Sequence, residues 1–475
     1  MTSSKPLLWA SIGLGATFAV YFLYGHLQYF GNVSFLGGIL LLEVIIASLW
    51  KYEQRFFVLL IVTFTWAGLK VPLQGSWAEG RWVVLGAGAV AGFIVWTKTP
   101  RGSSSAIDLL AFFCVCAAFV SASVSTFVGM ASLKALSLML LFLYCVSGGR
   151  LAARGREKRF FEGLIWGGEI AVFLTAGCYF GLGTSVWGNP NSLGAVMSVA
   201  VFPILLWGWF TADGHEVKVR RLVSLFVCAG LVVFSMARAG MIAMALVTIL
   251  FCVCLKQYRV LMKLAAICLV TVAVTGTFAP RVLNQSLGDI GDALLYKGHK
   301  EEGLLGSRKT PWEQSMASIK QHPWFGTGYG TSPSGEDPGF GSATPFSSTA
   351  ETARENGSSY VTIAEWVGLL GVLPFVMLLA AMISDVWKVF AWMKRTADPR
   401  HYSIPLAMVV LAGLIHANFE DWLFAVGYHL TVYFWVCAFL LADIVSRSAV
   451  VPVPGAIPRA SFPPPCNLGA VVPNR

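Results

Sequence analysis

Apolar residues along this chain neither alternate with polar ones nor recur at short helical spacing; they come in runs of roughly 16 to 24 residues separated by short polar breaks. A helix needs about 20 such residues to cross hydrocarbon. Strands of a membrane barrel would be shorter and would alternate. The pattern predicts spans over 6–24, 33–50, 56–70, 82–97, 106–127, 132–149, 162–184, 192–210, 221–237, 239–255, 260–279, 358–384, 403–418 and 421–443. The expected fold is therefore all-α, a polytopic transmembrane helical bundle of about 14 spans, with 12 as the alternative count. Four regions follow: helices within 1–279, one large loop at 280–357, helices within 358–445, and a proline-rich disordered tail at 446–475. So long a loop is uncommon unless it has a function. Its one helix is expected over 310–321, with Pro311 in the first turn.

Composition agrees: of 475 residues 56% are apolar and 12% charged, with mean hydropathy +0.69, whereas soluble domains carry about 25% charge. The chain reads as an integral membrane protein. Its net charge of +10 could suggest nucleic acid, but the distribution decides otherwise: with the N-terminus inside, 23 of 34 basic residues fall on one side. Of the 11 others, seven lie in the long loop, where the positive-inside bias is weak. The expectation is both termini cytoplasmic, the loop outside, and surplus charge serving topology and membrane lipids, with no nucleic acid partner.

Nine of ten cysteines fall inside apolar spans. Cys114/Cys116 and Cys252/Cys254 sit two apart and point to different helix faces, which disfavours a shared metal. His26, His299, His322 and His416 lack ligand spacing. No phosphate-cradling G-x-x-x-x-G-K-[ST] occurs. The run Gly326-Thr327-Gly328-Tyr329-Gly330 lacks the spacing of a dinucleotide fingerprint and reads as a turn using left-handed glycines. Neither metal nor cofactor is expected.

Charges and breakers gather at the outer helix ends: Gly188-Asn189-Pro190-Asn191-Ser192-Leu193-Gly194, Ser235-Met236-Ala237-Arg238-Ala239-Gly240, and Ser307-Arg308-Lys309-Thr310-Pro311-Trp312. A helix start beside two arginines would suit a diphosphate, because guanidinium grips phosphate oxygens at two points and keeps its charge. Against this stands snorkelling of Arg238 and plain solvation of Arg308. Trp312 and Trp324 are candidates for stacking on sugar rings, although most outer tryptophans, Trp187 and Trp422 among them, should belong to the interfacial belt. The in-membrane acids Glu43, Asp108, Glu169, Glu365 and Asp443 keep a second class open, a lipid-linked oligosaccharide flippase or proton-coupled transporter.

Taken in order, GNPNSLG (188–194), SMARAG (235–240), SRKTPWEQSMASIKQHPWFGTGYG (307–330), ENGSSYVTIAEWVGLLG (355–371) and HANFEDWLF (416–424) resemble the O-antigen ligase and polymerase superfamily over about half the chain. The resemblance implies a bacterial inner-membrane glycosyltransferase. It would take a glycan from an undecaprenyl-diphosphate carrier and pass it to a glycan or lipid-linked acceptor hydroxyl in cell-surface polysaccharide biosynthesis, without metal or nucleotide, alongside chain-length or export partners. Arg238 and Arg308 would hold the donor diphosphate, with Asn189, Asn191 and Trp312 also lining the substrate site. The chain departs from the usual pattern in two places. Two residues separate Ser235 from Arg238 where relatives commonly show Ser-Arg, and Glu355-Asn356 stand where ligases carry His-Asn. Glu355 is then the expected proton acceptor, with Asn356 beside it and His299 as a displaced substitute.

Overall fold

The computed structural model describes residues 45–46, 55–69, 74–98, 105–183, 186–187, 189–263, 265–266, 306–332 and 356–447. The expected span 6–24, most of 33–50 and of 260–279, the tail after 447, and Glu43, His299 and Glu355 lie outside the described residues.

Among the described residues the fold is helical and without strands. The helices are α1 (Arg55–Gly68), α2 (Gln74–Lys98), α3 (Ala106–Ser123), α4 (Val128–Ala153), α5 (Glu157–Gly181), α6 (Pro190–Phe210), α7 (His215–Phe234), α8 (Arg238–Cys254), α9 (Gly306–Gln321), α10 (Ser359–Thr396), α11 (Ser403–His416) and α12 (His429–Arg447). Seven are long and apolar enough to cross a membrane: α2 over Gly80–Lys98, α3, α4, α5, α6, α10 and α12. The apolar helices α1, α8 and α11 are shorter.

Burial sorts these helices by place. In α12 all residues from His429 to Val445 are buried, so it is the central post of the bundle. By contrast α3, α5 and α10 leave Phe112, Ile170, Leu370 and Leu373 more than half exposed, a pattern that in a membrane protein faces lipid.

Two sets of contacts define the ends. At one, Asp108 pairs with Arg150, Arg447 with Asp443, and Arg400 reaches Asp213 at 3.9 Å. Trp207 Nε1 donates to the Pro399 carbonyl at 2.7 Å there, and Phe161 stacks on Tyr402. We call this the basic end. At the other, Arg81 Nη1 donates to the Gly427 carbonyl at 2.7 Å, Lys134 Nζ donates to the Gly330 carbonyl, and Tyr329 Oη donates to the Phe424 carbonyl at 3.0 Å. This is the loop end.

Three expectations need correcting. The last span does not start at 421: α12 begins at His429, after turns over 417–428. That apolar stretch stays non-helical because its carbonyls have other partners, Leu423 accepting from Trp435 Nε1, Phe424 from Tyr329 and Trp422 from Thr431. The loop helix α9 starts at Gly306, which leaves Pro311 inside it instead of in its first turn. Trp187 and Trp422 are buried packing residues and not interfacial ones. In addition, Cys114 is buried and Cys116 exposed, as their spacing implies, but Cys252 and Cys254 are both covered.

Helix α10 carries the feature that shapes the loop end. It runs 38 residues, but at Gly368 the backbone turns to φ 66°, ψ −178°, and the helix is broken there. A break frees peptide groups that must find partners within the membrane. The segment after α9 supplies them. Thr327 and Gly328 donate their N–H groups to the Glu365 and Trp366 carbonyls at 3.0 and 3.2 Å. Leu369 and Leu370 donate to the Pro323 and Trp324 carbonyls at 2.8 and 3.2 Å. Both backbones are bare at the crossing: a Cβ on Gly326 would fall on the Trp366 carbonyl, and one on Gly368 would strike the Gly326 peptide nitrogen. Gly326, Gly328 and Gly330 all have positive φ (74°, 110°, 76°), so GTGYG is the left-handed glycine turn that its sequence suggests.

Candidate functional site

All five motif blocks meet at the loop end, the third through Trp312 and the turn at Tyr329 and Gly330. The first opens α6: Pro190 sits in the first turn, and Asn189 Oδ1 accepts from the N–H groups of Asn191 at 2.6 Å and Ser192 at 3.3 Å. This is ordinary helix capping, so the carboxamide oxygen of Asn189 is spent on the fold. Asn191 turns the other way and donates through Nδ2 to Glu420 Oε1 at 3.3 Å.

The second block is the turn from α7 into α8. Met236 takes φ 53°, a left-handed value for a non-glycine residue, and Ser235 Oγ closes the turn by donating to the Val232 carbonyl at 2.6 Å. Gly194 lies against this turn so closely that a Cβ there would meet Ala237 and Ser235, and Gly240 backs onto the Gly194 carbonyl. The glycines ending the first two blocks thus let the starts of α6 and α8 touch. Arg238 is the first residue of α8 and half-buried. A cation at a helix N-terminus adds to the positive end of the helix dipole, which costs stability and concentrates field favouring an anion.

The fourth and fifth blocks lock onto each other. Asp421 Oδ2 accepts the Asn356 N–H at 2.8 Å, Ser359 Oγ donates to the Glu420 carbonyl at 2.7 Å, and the Leu423 N–H donates back to Ser359 Oγ at 3.0 Å. Asn356 is fully buried at this joint. Glu355 is its chain neighbour, so the described end of the loop stands beside the Glu420–Asp421 doublet even though Glu355 lies outside the described residues. The adjoining Tyr428 hydroxyl is pushed up to about 12 by burial, against a hydrogen bond with Ser192, and stays protonated at neutral pH.

Between these blocks lies a groove of about 570 Å³. Its walls are Ile242 and Leu246 of α8, Trp312 of α9, Ser358, Tyr360 and Val361 at the start of α10, and Ile415, Asn418 and Phe419 after α11. Ile242 is one turn below Arg238 on the same helical face, so the arginine stands at the head of an apolar trough. Trp312 forms part of the wall, and its indole Nε1, though buried, makes no hydrogen bond among the described residues. Arg308 lies in the first turn of α9, with its side chain outside the described residues.

The structure therefore brings Asn191, Asn356, Trp312 and the start of α8 to one end, and employs Asn189 as a cap. Sequence reasoning missed Glu420 and Asp421, which join three blocks, and Lys134 and Arg81, which hold the surrounding turns. The acidic doublet inside an otherwise aromatic HANFEDWLF was the available signal. Of the in-membrane acids, Asp108, Asp443 and Glu169 are each paired, the last with Arg220 at 3.3 Å. Among the described residues no group of three or more histidine, cysteine or acidic side chains is arranged to hold a metal ion.

No curated protein matches the chain. Residues 222–376, from the second turn of α7 past the break in α10, match the family model described as Wzy_C, O-antigen ligase. The match covers about a third of this multi-pass membrane protein and supports the resemblance to the O-antigen ligase and polymerase superfamily that its motif blocks show.

Proposed function

We propose that the protein is a glycosyltransferase of cell-surface polysaccharide biosynthesis, acting at the outer face of a bacterial inner membrane on an undecaprenyl-diphosphate-linked glycan. The observation that carries this reading is the groove headed by Arg238: an apolar trough open along α8 suits the prenyl chain, and the arginine at the helix start suits the diphosphate. Arg308 from α9 would grip the same group from across the groove. The two guanidiniums take the electrostatic part that a metal plays elsewhere, stabilising charge as it develops on the leaving diphosphate. The attacking group is the acceptor sugar hydroxyl. Its oxygen bonds to the donor's anomeric carbon as the bond to the diphosphate oxygen breaks, and its proton passes to Glu355. Asn356, anchored on Asp421, fixes where that carboxylate stands. The 1–279, 280–357 and 358–445 regions act as scaffold, substrate cap and counter-wall, the loop facing outward and both termini inward.

The arginine test is conservative replacement. Arg238→Lys and Arg308→Lys keep charge but lose the two-point grip, and transfer in isolated membranes should fall on the order of a hundredfold at normal protein abundance, with or without chelator. Full-length glycan built by both variants would end the diphosphate reading. Glu355→Gln should cost on the order of a hundredfold with donor binding retained. A deletion strain separates the two chemistries: single repeats left on the carrier indicate a polymerase, full-length chains on the carrier a ligase. For the rival transporter class, Glu169, one of the two deeper acids, is held in a pair with Arg220.

A further inference from the structure

A second groove, of about 390 Å³, lies on the flank of the bundle between α5 and α7, lined by Trp166, Glu169, Ile170, Phe173, Leu174 and Arg220. Its composition is graded along the membrane normal. α7 starts at the basic end with His215 and turns from polar to apolar just after Arg220 and Arg221. Arg220 therefore stands at the boundary between headgroups and hydrocarbon. From there the groove runs towards the bundle's middle over Ile170, Phe173 and Leu174, which are 60%, 47% and 60% exposed and form one stripe of α5.

Arg220 is held ready at the groove's head. Its Nε donates to Glu169 Oε1 at 3.3 Å and its guanidinium carbon lies 4.8 Å from the Trp166 ring centre. Glu169 is only 4% exposed, so it is a fixed counter-charge that orients the fork. No hydrogen bond among the described residues engages the Nη atoms, and the side chain is 43% exposed. A fork anchored by one edge presents the other to an incoming oxyanion. Lys218 and Arg221, its near neighbours in the chain, turn to α6 instead, Lys218 over the Trp209 ring at 6.0 Å and Arg221 Nη1 donating to the Gly208 carbonyl at 2.7 Å.

We propose that this groove binds one anionic glycerophospholipid, with its phosphodiester on the outer edge of Arg220 and an acyl chain along Trp166, Ile170, Phe173 and Leu174. The site lies at the end opposite the catalytic groove and is independent of the proposed transfer reaction. A headgroup lacking an amine is selected because Arg220 gives an attraction that a zwitterionic headgroup's own ammonium would offset.

The test uses the full-length protein in phosphatidylcholine nanodiscs doped with phosphatidylglycerol, bound lipid being counted by native mass spectrometry. The wild type should retain phosphatidylglycerol about fivefold more strongly than phosphatidylcholine, the ratio expected of one membrane-surface cation. The double variant Glu169→Gln/Arg220→Gln removes both charges, so that neither is stranded, and should abolish the preference. Leu174→Trp, which fills the trough, should lower retention of both lipids. Equal retention of the two lipids by the wild type, or an undiminished preference in the double variant, overturns the proposal. Should the double variant not fold, the wild-type competition and Leu174→Trp decide alone, retention unchanged by Leu174→Trp counting against it.

Discussion

At the basic end, three arginines meet carboxylates, Arg150 with Asp108, Arg447 with Asp443 and Arg220 with Glu169, while Arg221 donates to the Gly208 carbonyl at 2.7 Å. At the loop end, Arg81 and Lys134 meet peptide carbonyls, those of Gly427 and Gly330. The two ends contain similar cations and spend them differently. Two of these pairs clip one helix to another, the Arg447–Asp443 pair lies within α12, and each cancels the field of both partners. A carbonyl satisfies a cation's hydrogen-bonding need but brings only a dipole, so the charge persists at longer range. The loop end consequently spends its cations on holding irregular backbone in place. Chemistry placed on turns requires turns that do not move, and here the cations anchor them.

The sharpest way to break this arrangement is at the α10 crossing. Gly368→Ala or Gly326→Ala adds a Cβ at positive φ and on top of peptide atoms, a combined cost of about 3 kcal/mol or more. Both variants should show a large loss of thermal stability in detergent or fail to accumulate. A variant that melts with the wild type would mean that the crossing does not hold the loop. Lys134→Met comes next: the stem remains but the Gly330 carbonyl loses its donor, at about 1–3 kcal/mol. Because the lost bond tethers the turn after α9, proteolytic cleavage near residues 322–332 should quicken before global stability changes much. Cleavage at the wild-type rate would remove the anchoring role of the cation. Smallest of all, Arg400→Ala at the basic end breaks a pair whose side chains are 78% and 95% exposed. Solvent screening leaves such a pair little to contribute, and neither melting temperature nor glycan transfer should move measurably.

Much of the molecule was legible from residue order alone. Runs of apolar residues specify membrane helices because hydrocarbon leaves no other partner for the peptide groups than the helix's own. GTGYG announced a left-handed turn, since only glycine adopts those angles without cost. GNPNSLG announced a helix start, and Asn189 caps it.

What the chain order could not contain was long-range pairing. Residues 417–428 look like the beginning of a span, and only the carbonyl partners supplied by Ser359's neighbourhood, Tyr329 and Trp435 keep them out of a helix. The glycines of α10 look like ordinary helix positions until the Pro323–Gly328 segment arrives to satisfy the broken ladder. Glu420 and Asp421 gain their place only when α6, the end of the loop and α10 converge on them. Local propensity and hydropathy act over a few turns of chain and so can be read in sequence. The partners of a freed carbonyl or a half-buried carboxylate lie up to hundreds of residues away, 346 between Arg81 and Gly427, and only packing brings them together.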